Sequence, residues 1–120
     1  MQKKTLVVGA SENPERYANK AVRKLKRYGH PVLAFGKVGG SIDDTPIETA
    51  WPENEQIDTI TLYLNPAHQR AFYDRIIQAA PNRIIFNPGT ENPELESLAQ
   101  QHGIETIEAC TLVLLSVDQY

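Results

Sequence analysis

Apolar side chains in this chain fall into short unbroken runs, separated by longer stretches in which they recur at helical intervals. Thr5–Val8, Val32–Phe35 and Arg83–Phe86 are apolar at consecutive positions, as expected of strands covered on both faces. Thr59–Leu64 alternates more, which predicts a strand nearer a sheet edge, and Glu105–Ile107 supplies a fifth strand. Between the first two runs, Ala18, Ala21, Val22 and Leu25 mark one face of a helix that Gly29 closes. Asn65-Pro66 and Asn92-Pro93 each read as a capping side chain followed by proline in the first turn. The first pair leads to an inward face of Phe72, Ile76, Ala79 and Ala80. The second leads to Leu95, Leu98 and Ala99, with Gly103 as its stop.

Strand followed by helix, repeated along the chain, predicts an α/β fold. The expected form is a Rossmann-like three-layer sandwich with a five-stranded parallel sheet, order 3-2-1-4-5. Residues 1–120 read as one domain without repeats or linkers. The segment from Gly36 to Gln56 interrupts the rhythm. Gly39-Gly40, Asp43-Asp44 and Pro46 predict a long loop, with a short strand or helical turn around Ile47–Trp51.

Charge changes the picture only by exclusion. Twelve basic against fifteen acidic residues leave a net charge of −3, with no global excess to attract nucleic acid. Lys20, Arg23, Lys24, Lys26 and Arg27 lie on a helix whose opposite face is apolar, so a solvated face is expected. No stretch approaches the roughly 18 apolar residues of a membrane span, and Met1-Gln2-Lys3-Lys4 leads straight into the first strand. The single cysteine, Cys110, cannot form an internal disulfide. These features together predict a cytoplasmic protein without a membrane or nucleic-acid partner.

Candidate chemistry begins where the first strand breaks into Gly9-Ala10-Ser11 and then feeds a helix. Such a turn brings backbone close to a ligand, and free amides at a helix start attract phosphate. The dinucleotide fingerprint is incomplete, because Ser11 and Pro14 stand where further glycines belong, and no Gly-Lys-Ser/Thr follows. Ser11 and Arg16 suit phosphate oxygens; equally, Ser11 or Asn13 caps the helix and Arg16 is a surface charge. The second strand ends in Phe35-Gly36-Lys37, a lysine where an NAD site carries an acid. A lysine there suits an extra phosphate on the ribose, and the expected crevice is positively lined and acid-free. Leu64-Asn65-Pro66 and Asn87-Pro88-Gly89-Thr90 mark two further strand ends on the same side of the sheet. His30, His68 and His102 are scattered, so no metal site and no catalytic residue is expected.

The chain resembles the small stand-alone CoA-binding domain family, related to the CoA-binding domain of the succinyl-CoA synthetase α subunit and of ADP-forming acyl-CoA synthetases. The resemblance is carried by Val7–Ser11 with Pro14, Arg16, Tyr17 and Val22, by Tyr28–Val32, and by Thr45-Pro46-Ile47. Asp58-Thr59-Ile60, Pro66, Pro88-Gly89 and Cys110 continue it. It implies binding of coenzyme A or an acyl-CoA, without catalysis by this chain alone. Gly9, Ala10, Ser11, Arg16 and Tyr17 would hold the diphosphate and pantetheine end. Phe35, Gly36 and Lys37 would lie near the adenosine and its ribose phosphate. Leu64, Asn65 and Pro66 would border the adenine, with Pro88 and Gly89 at the neighbouring turn.

Two departures stand out. Gly36-Lys37 replaces the family's Asn-Pro, and Cys110 leads into the apolar run Thr111–Leu115 instead of Pro-Lys. That run suggests packing against the sheet or a second subunit, so a homodimer is one expectation. Cys110 is expected as a small core residue rather than a thiol partner for CoA. The alternative functions are an NAD(P)-linked enzyme or redox sensor, and a regulatory or assembly module.

Overall fold

The computed structural model describes residues 2–120. Chain order is β1 (Thr5–Val8), α1 (Tyr17–Arg27), β2 (Val32–Phe35), β3 (Gly40–Ile42), β4 (Thr45–Glu48) and β5 (Thr59–Leu62). Then come α2 (Pro66–Gln69), a 3-10 turn (Arg70–Phe72), α3 (Tyr73–Ala79), β6 (Arg83–Phe86), α4 (Pro93–Gln101), β7 (Glu105–Glu108) and α5 (Thr111–Ser116).

The sheet corrects the expected strand count and order. It has seven strands in the order β3-β4-β2-β1-β5-β6-β7, all neighbours parallel except the antiparallel pair β3 and β4. The segment read as a long loop contains that pair, a hairpin turning at Asp43, whose φ is 52°. Its second strand, β4, runs parallel to β2 and takes the outer position assigned to Thr59–Leu64. Counting only the parallel strands, the sheet follows the doubly wound order 3-2-1-4-5-6. The passage from β2 to β4 carries no helix, only β3 and its turns.

Thr59–Leu62 is central, not peripheral: β5 lies between β1 and β6 with all four residues buried. Its alternation misleads because both threonine hydroxyls are satisfied sideways. Thr59 Oγ1 accepts from Arg83 Nε at 2.9 Å, and Thr61 Oγ1 accepts from Asn87 Nδ2 at 2.7 Å. A polar group paired in this way tolerates complete burial. The edge on that side is β7.

Each sheet face carries its own core. Leu6, Val8, Ile60, Leu62, Ile84 and Phe86 pack with Ile76 and Leu95 on one side. Val7, Ala34 and Ile47 pack on the other with Ala18, Val22 and Leu25 of α1 and Leu115 of α5. Burying each large aliphatic side chain contributes about 1.5–3 kcal/mol, so the apolar runs fix both the sheet and the helices laid over it.

The basic side of α1 reaches its neighbours. Lys24 Nζ donates to the Leu112 carbonyl at 3.0 Å and to Ser116 Oγ, and Lys26 pairs with Asp44. In α5, Leu115 is buried, whereas Val113 and the C-cap residue Val117 stand exposed. Ala80 does not face inward: it is exposed, in a left-handed conformation (φ 47°) that terminates α3. No helix among the described residues is long and apolar enough to cross a membrane.

Candidate functional site

The carboxyl ends of β1, β2 and β5 meet where the strand order reverses, and a crevice opens there. Its floor depends on two glycines. Gly9 has φ 99°, and a Cβ on it would come within 3.1 Å of the Tyr63 backbone. A Cβ on Gly36 would lie closer than 3.0 Å to the Ala10 carbonyl oxygen. The two turns therefore touch backbone to backbone. The Gly9 and Ala10 amides both donate to the Phe35 carbonyl at 2.9 Å, which bolts the first turn onto the end of β2.

This bolt changes which amides can face a ligand. Those of Gly9 and Ala10 are engaged, leaving the Ser11 and Glu12 amides without an acceptor among the described residues. Neither Ser11 nor Asn13 caps α1. Ser11 Oγ accepts from the Asn13 amide at 3.1 Å, and Asn13 Oδ1 accepts from the Glu15 amide at 3.0 Å, so both shape the loop itself. Arg16 occupies the N-cap position with its side chain uninvolved in capping. Buried Asn19 donates to the Ser11 carbonyl at 2.9 Å and fixes the turn from beneath.

Seven of the residues singled out from the sequence line one cavity of about 600 Å³: Gly9, Ala10, Ser11, Arg16, Lys37, Leu64 and Asn65. Phe35 and Gly36 join Gly9, Lys37 and Leu64 in lining an adjoining apolar slot of about 540 Å³. Four others line neither space. Tyr17 is 66% exposed on α1, with Lys20 Nζ 5.3 Å above its ring. Pro66 opens α2 behind Asn65, whose side chain caps the helix by accepting from the His68 amide at 3.0 Å. Pro88 and Gly89 form an exposed turn after β6.

The crevice also contains residues the sequence reading missed. Glu12 lines the larger cavity, so the lining is not acid-free. Its carboxylate accepts from the Ser41 amide at 2.9 Å and rests against Gly40, where a Cβ would collide with it. Glu12 thereby ties the first turn to β3, a role invisible until the hairpin is known. Ala67, Ala71, Phe72 and Arg75 line the slot, and His68 lines both spaces. The four-residue spacing of positions 67, 71 and 75 is the signal that could have revealed that wall.

Other candidates lie elsewhere. His30 Nδ1 accepts from the Lys3 amide at 3.0 Å, and its ring meets Tyr120 at a centroid distance of 4.9 Å. Burial, with Lys3 nearby, holds the His30 pKa below its ordinary value. Tyr63 lines the larger cavity, and burial pushes its phenol pKa well up. Cys110 is a half-buried free thiol at the start of α5, and its side chain makes no capping bond. Among the described residues no group of three or more His, Cys, Asp or Glu could hold a metal ion.

A mostly parallel, doubly wound sheet with helices on both faces and a crevice at its switch point defines a Rossmann-like class of α/β fold. A model of the CoA-binding domain matches residues 3–116, and the chain belongs to that family. An uncharacterized protein of known crystal structure is 42% identical over 100% of this chain and 99% of its own, with a TM-score of 0.97. A Thermus thermophilus protein is 21% identical, covering 99% of this chain and 91% of its own at a TM-score of 0.86. The dinucleotide-forming acetyl-coenzyme A synthetase 1 of Ca. Korarchaeum cryptofilum, solved with phosphate and ADP, is 18% identical. That match covers 89% of this chain and 25% of the synthetase, at a TM-score of 0.71. The last two likenesses show the fold. No functionally curated protein matches the chain.

Proposed function

We propose that this chain binds coenzyme A or an acyl-CoA in the crevice between the Gly9–Arg16 turn, Phe35–Lys37 and Leu64–Asn65. Membership of the CoA-binding domain family supports the ligand class. The observation that carries the reading is the position of Lys37. It lines both the polar cavity and the apolar slot, at the strand end where an NAD site would present a carboxylate. A ligand spanning both spaces would set its diphosphate between Arg16, Lys37 and the unengaged Ser11 and Glu12 amides. Its adenine would enter the slot beside Leu64 and Phe72. Charge-assisted hydrogen bonds would supply the orientation, and burial of the base most of the remaining affinity.

Calorimetric titration of the purified chain with CoA, acetyl-CoA, NAD and NADP tests the reading. CoA or acetyl-CoA should bind at least tenfold more tightly than either nicotinamide dinucleotide. Tighter binding of NADP, or no heat with either CoA species, would overturn it.

A further inference from the structure

The apolar slot is lined in part by a guanidinium that the fold does not use. Ala67, Ala71 and Arg75 follow at four-residue intervals and line the slot together. The two alanines leave room along the wall, and Arg75 supplies charge there. Its side chain is exposed, donates no hydrogen bond and forms no ion pair among the described residues. Glu53 and Glu55 share an outer groove with Arg75, but Glu55 pairs with Lys4 instead.

The cations of the crevice divide by position. Arg16 lines the polar cavity but not the slot, Lys37 lines both, and Arg75 lines the slot and the outer groove but not the polar cavity. The slot offers flat apolar surface from Leu64, Phe35 and Phe72, with the two phenylalanine rings edge to face at 5.2 Å. A purine seated there carries its sugar with it. The diphosphate engages Arg16 and Lys37, so an additional anion on the sugar falls to the cation on the slot side.

We infer that Arg75, rather than Lys37, is the specificity-determining residue for a phosphate on the ribose. It distinguishes a 3′-phosphorylated adenosine ligand from one lacking that group. The inference rests on the CoA reading above and adds a residue to it. A planar guanidinium suits this task, since it can present two parallel N–H groups to one phosphate.

The test measures binding of CoA and dephospho-CoA to the wild-type chain and to Arg75→Ala, Arg75→Lys and Lys37→Ala. Wild type should prefer CoA by about tenfold or more, the range of a charge-assisted contact. Arg75→Ala should erase that preference by weakening CoA alone, and Arg75→Lys should restore part of it. Lys37→Ala should weaken both ligands in parallel. Thermal unfolding of Arg75→Ala should match wild type, because the side chain is exposed and unpaired. The inference is overturned if Arg75→Ala retains the preference, if it weakens both ligands equally, or if Lys37→Ala is the variant that erases the preference. Equal wild-type binding of both ligands would sink the Arg75 role and leave the CoA reading standing. Binding of neither would remove both.

Discussion

The carboxyl ends of β2 and β6 lie on the same side of one sheet, each followed by a glycine-containing turn, and they serve opposite ends. After β6, the side chains of Asn87, Thr90 and Asn92 turn inward. Asn87 is 2% exposed; its Nδ2 donates to Thr61 Oγ1 and the Leu62 carbonyl, while its Oδ1 accepts from the Thr111 amide at 2.9 Å. Gln69 Nε2 donates to the Leu64 and Thr90 carbonyls at 2.8 Å, and Asn92 Nδ2 donates to Gln69 Oε1 at 2.9 Å. After β2, the Phe35 carbonyl anchors the neighbouring turn, and Lys37 stays exposed without an ion pair. Polar capacity consumed inside the protein stabilises it, and capacity left over is free for the proposed ligand. This division explains why Pro88-Gly89 stands apart from the crevice although the strand topology brings it to the same edge.

The sharpest way to break the comparison is Asn87→Ala. Removing the amide leaves a buried amide N–H and a carbonyl without partners, each costing about 1–3 kcal/mol. Stability should fall by about 3 kcal/mol in chemical denaturation, while the folded fraction keeps its CoA affinity. A small loss of stability with a large loss of affinity would place the β6 turn in the binding site after all. Gly36→Ala should come next, with about 2 kcal/mol lost as the new methyl group meets the Ala10 carbonyl. Because that contact joins the β1 and β2 turns, CoA affinity should fall as well. Unchanged affinity in this variant would mean that the crevice does not depend on their close approach.

How legible these two strand ends were in the sequence follows from the same physics. The apolar runs of β1, β2 and β6 announced their bounds, since burial on both faces leaves a continuous signal. Asn65 and Asn92 could be read as caps, and both accept from the amide three residues on. The misplaced third strand came from Thr59 and Thr61, whose hydroxyls accept from Arg83 and Asn87, more than twenty positions away. Nothing local reports such pairings.

The β3–β4 hairpin was hidden for a different reason. Its strands have three and four residues and include Gly40 and Pro46, residues that ordinarily end strands. Glu12 was missed for the same cause, because its partner Ser41 belongs to that hairpin. Within the site, the glycine turn and Lys37 were visible as a broken apolar run with a displaced charge. The slot wall of Ala67, Ala71 and Arg75 was passed over because two alanines and an arginine at helical spacing read as an ordinary outer face of the helix.

Lys37→Ala sharpens the comparison from the ligand side. An exposed, unpaired lysine contributes little to folding, so the free energy of unfolding should change by less than about 0.5 kcal/mol. CoA affinity should fall about tenfold, and the loss should shrink at high salt as the phosphate charge is screened. A marked destabilisation would show that Lys37 supports the fold and would erase its contrast with Asn87.

The smallest effect tests whether the β6–β7 side has any polar capacity left unsettled. Glu96 on α4 is the candidate: desolvation and the nearby Glu108 of β7, with Glu91 adding a little, raise its pKa above the ordinary 4.5. A carboxyl raised in the folded state holds its proton more firmly there than in the unfolded chain. Its contribution is therefore favourable below the unfolded value and is lost as pH rises through the raised folded value. Glu96→Gln removes this loss. Relative to wild type, the variant should gain little at about pH 4 and most at neutral pH, by about 0.5 kcal/mol or less for so exposed a pair. Thermal unfolding across that range checks the sign, and Glu108→Gln should reproduce it, since either substitution ends the same repulsion. CoA affinity should not move in either variant, because Glu96 and Glu108 line neither the polar cavity nor the slot.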